Sequence, residues 1–60
     1  MLVRFDICPD HSGWSIFDRL TGETATMGGF VPEGLGREDA DELADLLNTL
    51  DLLRRGRAVH

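Results

Sequence analysis

The sequence contains no lysine and a single cysteine, and nowhere does it approach the run of ~20 apolar residues that crosses a bilayer. Each shortage excludes something. One thiol, Cys8, cannot form an internal disulfide, so the chain lacks the staple of secreted miniproteins and fits a reducing interior. The N-terminal stretch MLVRFDICPD carries Arg4 and Asp6 among its apolar residues, which spoils the apolar region of a secretory leader. A cytoplasmic location is expected. Six arginines face eleven acids, giving a formal net charge of −5. That balance lacks the basic footprint needed for phosphate backbones or anionic lipid, so neither nucleic acid nor a membrane is an expected direct partner. A positively charged protein surface is the partner that such charge favours. Sixty residues leave no room for a second domain, no internal repeat appears, and a chain of this size buries only ~60% of its unfolded surface. Its core is therefore marginal unless a partner adds to it.

The residues present predict a β-β-β-α order within a single domain, 1–60. Side chains alternate from Met1 to Ile7, with Val3, Phe5 and Ile7 on one side and Leu2, Arg4 and Asp6 on the other, the period of a half-buried strand. Cys8-Pro9-Asp10-His11-Ser12-Gly13 concentrates turn formers and reads as a hairpin loop. A second strand follows over about 14–18, with Trp14 and Ile16 facing together and Ser15 and Phe17 opposite. Leu20-Thr21-Gly22-Glu23 is the next turn, and a third strand is expected over about 23–27, with Ala25 and Met27 inward. The glycine-rich connection 28–36, which contains Pro32, should have no regular structure. A helix is expected over about 37–54. Gly36 is its N-cap, Asp39 suits the positive end of its dipole, Leu35 staples onto Ala40, and Gly56 caps the far end. Asn48-Thr49 is its weakest point, and residues 55–60 form a short basic tail. The expected fold class is α+β, a three-stranded antiparallel meander with one C-terminal helix on one face.

Charge along the helix is polarised. Residues 37–53 carry Glu38, Asp39, Asp41, Glu42, Asp45 and Asp51 against Arg37, and Arg54, Arg55 and Arg57 follow. At about 100° per residue, measured from Leu43, residues Leu53, Leu46, Leu50, Leu47, Ala40 and Ala44 fall at about 280°, 300°, 340°, 40°, 60° and 100°. The apolar arc is thus about 180° wide, more than the ~100° stripe that a small sheet needs. Leu43, Leu46, Leu50 and Leu53 also follow the 3-4-3 spacing of paired helices, which makes a homodimer one expectation. Loop residues such as Phe30, Val31 and Leu35 folding over the excess are the other. Phe17, pointing away from the helix on its strand, joins Leu43, Leu46, Leu50 and Leu53 as a candidate apolar interface. On the opposite arc, Glu38, Asp41, Glu42 and Asp45 form an acidic ridge with no lysine or arginine among them to neutralise it at i,i+4. From Glu38 to Asp45 the helix rises about 10 Å, comparable to three phosphate steps of one strand at ~3.4 Å each.

Catalytic and metal chemistry find little support. Cys8 and His11 lie three apart, with Asp10 and His60 as further candidates, but zinc needs about four ligands and normally takes them from paired clusters. No metal and no cofactor is expected. The same pair lacks an orienting third residue or an oxyanion donor for a thiol enzyme. Gly34-Leu35-Gly36 before a helix suits an anion, but Glu38 and Asp39 in the first turn would repel a phosphate. Trp14, Phe5 and Phe17 have only Arg4 and Arg19 nearby, too little positive charge for a nucleic-acid stacking platform.

In arrangement the chain resembles the β-β-β-α half of small antitoxin-like regulators of the HicB kind, a resemblance of layout that carries no residue role. In size, acidity and absence of chemistry it is similar to the small inhibitors that phages deploy against restriction or CRISPR complexes. The first expectation is a non-enzymatic acidic module that binds a basic protein surface, in its most specific form an inhibitor competing with nucleic acid through Glu38, Asp41, Glu42 and Asp45. The alternative is a homodimeric regulatory or antitoxin-like protein. A thiol or metal site at Cys8 and His11 is the remote one.

Overall fold

The computed structural model describes residues 3–58 and gives the order β1 (Phe5–Asp10), β2 (Gly13–Asp18), β3 (Glu23–Thr24) and α1 (Arg37–Ala58). The strands form one open antiparallel sheet in the order β1-β2-β3, and the helix packs on one face of it, the expected β-β-β-α layout of the α+β class. Strand β1 lies further along the chain than 1–7. Met1 and Leu2 are outside the described residues, Val3 and Arg4 precede the strand, and the ladder runs from Phe5↔Asp18 to Asp10↔Gly13. Pro9 does not break it because β1 is an edge strand. Pro9 shares the phase of Phe5, whose N–H and C=O point away from β2, so the missing donor falls where no partner strand needs it.

The hairpin turn therefore shrinks to His11 and Ser12. Asp10 organises it, accepting hydrogen bonds from the Ser12 N–H at 2.8 Å and from the Gly34 N–H at 3.0 Å, which ties the later loop to the turn. Gly13 is required here by close approach, since a Cβ on it would stand 2.6 Å from the Leu35 carbonyl oxygen. Strand β3 is shorter than 23–27. Ala25 still donates to the Ile16 carbonyl at 2.8 Å, but Gly28 and Gly29 take left-handed conformations that turn the chain back, so that Met27 bonds Phe30 instead of β2. The connection 28–36 is not wholly irregular either, because Leu35 and Trp14 exchange two backbone hydrogen bonds of 2.9 Å beside β2.

Ile16, Ala25, Ala40 and Ala44 form the buried centre, with Phe5, Ile7, Trp14, Leu35, Leu43 and Leu47 packed around it. The helix lies over β1 and β2 and leaves β3 uncovered. It starts as expected: Ala40 donates to the Gly36 carbonyl at 2.9 Å, the first intrahelical bond, and Glu38 and Asp39 occupy the first turn. It ends later than 54. Arg54 and Arg55 suit its negative end, Arg55 Nε reaches Asp51 Oδ2 at 3.0 Å one turn back, and Gly56 lies inside the helix instead of capping it. The expected tail 55–60 is thus helical to Ala58, while Val59 and His60 are outside the described residues. A 22-residue helix is about 33 Å long against about 20 Å for a six-residue strand, so α1 overruns the sheet.

Candidate functional site

The rotation of α1 about its axis decides which side chains are available, and it is set by small and polar residues more than by leucines. Ala40 and Ala44 present no bulk and let the helix backbone come close to Ile16 and Trp14. Further along the same arc, Asn48 faces the open edge of β1. Its Oδ1 accepts from the Phe5 N–H at 2.8 Å and its Nδ2 donates to the Phe5 carbonyl at 2.9 Å, the pair of bonds a neighbouring strand would make. Asp51, one turn on, accepts from Arg4 Nη1 at 3.1 Å. Arg4 in turn grips Asp18 with two bonds, Nε to Oδ1 at 3.0 Å and Nη2 to Oδ2 at 2.9 Å, and stacks over the Phe5 ring. The Arg4 bond holds the Asp18 carboxyl below its ordinary range despite burial, and the same bond pushes the Arg4 guanidinium further toward its charged form. Asn48 is therefore not a weak point of the helix but its clamp onto β1.

This rotation turns the leucines outward. Leu46, Leu50 and Leu53 are 55%, 44% and 56% exposed, and the loop does not fold over them, since Phe30 and Val31 are themselves exposed. Pro32 is buried and Leu35 packs against the core. Leu43, expected in the interface with those three, is instead half-buried against the core, because it lies nearer the alanine arc. Phe17 is half-buried rather than fully outward, lining a shallow depression of about 440 Å³ with Val3, Arg4, Arg19, Leu20 and Arg55. A larger cleft of about 620 Å³ runs between the helix and the uncovered β3 side, with Ala25, Met27, Leu47, Leu50 and Arg54 among its walls. Leu50 thus belongs both to the exposed stripe and to the cleft.

Glu38, Asp41, Glu42 and Asp45 are all exposed along the outer face. Among the described residues none of them forms an ion pair; the pairs present are Arg4 with Asp18 and Asp51, Arg19 with Asp6, and Arg55 with Asp51. Arg37, the arginine adjoining this row in sequence, lies over the Trp14 ring at 5.2 Å. Arg37 is thus directed away from the row, and Arg4, Arg19 and Arg55 are engaged with other carboxylates. Arg4, expected on the outer face of its strand, was the residue whose pairing sequence reasoning missed, together with Asp18, Asn48 and Asp51. The readable signal was the presence of Asn48 and Asp51 within the otherwise apolar inward arc of the helix.

Cys8 and His11 are not assembled into a site. Cys8 Sγ lies 3.3 Å from Ser15 Oγ, His11 is exposed in the turn, and the Asp10 carboxylate is held by Gly34 and Ser12, which also keep its pKa low. Among the described residues no group of three histidine, cysteine or acidic side chains is placed to hold a metal ion, and His60 lies outside them. No described helix is long and apolar enough to cross a membrane. Set against protein-family models, curated proteins and solved structures, the chain matches none.

Proposed function

We propose that the protein is a non-enzymatic binding module that occupies a positively charged protein surface with the outer face of α1. In its most specific form it is an inhibitor that takes the place of nucleic acid in a basic groove, as anti-restriction and anti-CRISPR proteins do. The observation that carries this reading is the row Glu38, Asp41, Glu42 and Asp45, exposed together and without ion pairs among the described residues. Four like charges at one-turn spacing repel each other and cost helix stability unless an external cation offsets them. Held on a rigid helix clamped at Asn48, the carboxylates stay in a fixed line about 10 Å long, which suits a groove built for regularly spaced phosphates.

The test is capture from cell extract with wild-type bait and with a Glu38→Arg/Asp45→Arg bait, at low and high salt. Wild-type bait should retain a basic protein that elutes as salt rises, and the retained protein should lose nucleic-acid binding in its presence. The reversed bait, folded by circular dichroism, should retain none of it. Equal capture by both baits would remove this reading.

A further inference from the structure

We propose that α1 pairs with the α1 of a second copy of this chain, antiparallel about a two-fold axis, through Leu46, Leu50 and Leu53. The pairing does not depend on the binding function proposed above. Three observations lead to it. The three leucines form one stripe centred at about 310° on the wheel measured from Leu43, and they stay exposed in the folded monomer. The stripe adjoins the cleft that opens because the helix covers β1 and β2 but not β3. The monomer also encloses very little, with Ile16, Ala25, Pro32, Ala40 and Ala44 the buried apolar residues among those described, so covering three leucines would add substantially to its core.

Charge selects a second copy as the occupant, and the antiparallel direction. Asp39, at about 320°, continues the stripe at its N-terminal end, and Arg54, at about 20°, stands beside its C-terminal end. Both are exposed, and among the described residues neither is in an ion pair. A symmetric antiparallel pair opposes residue i to a residue near 96 − i, as Leu46 to Leu50 of the second copy, and so brings Arg54 of each chain within side-chain reach of Asp39 of the other. A parallel pair would set acids against acids and arginines against arginines. The helix dipoles also oppose favourably only in the antiparallel arrangement.

The two-fold axis has a further consequence for the acidic row. Glu38, Asp41, Glu42 and Asp45 centre about 100° to one side of the leucine stripe, and the sheet-facing arc centres about 120° to the other. An axis lying between antiparallel helices keeps each flank on its own side. Both acidic rows then line one side of the helix pair, and both sheets lie on the other. The paired form presents twice the length of ordered carboxylates that one chain offers.

Sedimentation equilibrium of the full chain tests this without any outside partner. The wild type should be a dimer at concentrations on the order of 100 µM and dissociate on dilution. Leu46→Glu/Leu53→Glu should weaken association by about 100-fold while the helical signal is kept. Should that variant unfold, the charge variants decide alone. Arg54→Glu and Asp39→Arg should each weaken the dimer by about 10-fold, and mixing the two should restore wild-type association. A wild type that stays monomeric at about 1 mM overturns the proposal, as does a dimer indifferent to the leucine substitutions. Charge variants that associate as tightly as wild type would overturn the antiparallel arrangement.

Discussion

Replacing Asn48 with alanine should cost far more than an exposed helix position ordinarily does. The side chain makes two hydrogen bonds to Phe5, at 2.8 and 2.9 Å, and links α1 to a strand 43 residues away in sequence. Truncation leaves the Phe5 N–H and C=O without partners at a half-buried site, and each such group costs about 1–3 kcal/mol when water cannot replace the bond. Partial access to water lowers the sum to roughly 3 kcal/mol, and the better helix propensity of alanine returns about 0.5 kcal/mol. The net loss is then about 2.5 kcal/mol. A 60-residue domain has roughly 3–9 kcal/mol in total, so this single change removes a large share of it. The midpoint of thermal unfolding should fall by roughly 10–20 °C.

Urea unfolding followed by Trp14 fluorescence and by helical circular dichroism measures the loss as a shift in midpoint at unchanged slope. Thr49→Ala is the internal control. Its hydroxyl bonds only the Asp45 carbonyl on the exposed face at 2.9 Å, so the substitution should be neutral or stabilise by a few tenths of a kcal/mol. Asn48→Asp keeps an acceptor for the Phe5 N–H but sets a carboxylate oxygen against the Phe5 carbonyl, and it should be no better than alanine. Amide exchange at Phe5 should quicken in both. If Asn48→Ala lies within about 0.5 kcal/mol of the Thr49 control, the clamp does not hold the helix to β1 and the account of its rotation fails.

Acid should destabilise the fold through Asp18, Asp10 and Asp6, whose folded pKa values all lie below the ordinary carboxylate value, for Asp18 chiefly through Arg4, for Asp10 through the Gly34 N–H and for Asp6 through Arg19. Their contribution is complete above the unfolded value of about 4 and is lost as pH falls through the folded values, so urea midpoints should be flat from about pH 7 to 5 and drop below about 4. Asp18→Asn should lower the neutral-pH midpoint and flatten that drop; an unchanged acid limb would refute the assignment. Gly13→Ala should cost about 2 kcal/mol or more because its Cβ meets the Leu35 carbonyl at 2.6 Å, whereas Gly22→Ala, left-handed but with open space around it, should cost only about 1 kcal/mol, and equal losses would refute the close approach.

The layout was legible because two periods dominate the chain. Alternation through Phe5 and Ile7, and again through Trp14 and Ile16, can satisfy only strands, and the leucine-rich stretch after Arg37 can satisfy only a helix. Boundaries were less legible for reasons that belong to tertiary structure. Pro9 reads as a loop residue until β1 is known to be an edge strand in which its missing N–H faces outward. Gly56 reads as a cap until the Arg55–Asp51 pair is seen to carry the helix past it. The third strand reads as longer because nothing in Ala25-Thr26-Met27 shows that Gly28-Gly29 will fold Met27 onto Phe30.

The width of the apolar arc signalled leucines left outside the monomer, and Leu46, Leu50 and Leu53 are exposed, but hydrophobicity alone does not say which part of the arc faces the sheet. Counting hydrophobic residues points the leucine stripe at the sheet, and by transfer free energy alone Leu46, Leu50 and Leu53 would be buried ahead of Ala40 and Ala44. The opposite rotation prevails because the polar residues have more to lose. Turning the stripe inward would swing Asn48 and Asp51 away from β1, leaving the Phe5 backbone and the Arg4 guanidinium without three hydrogen bonds between them. Alanines under the axis then allow the close approach that those bonds require. A helix so constrained must leave bulky apolar side chains on one flank and unneutralised carboxylates on another. Both faces that the proposals use are thus consequences of one inward-facing polar clamp, and disrupting that clamp should disturb both together.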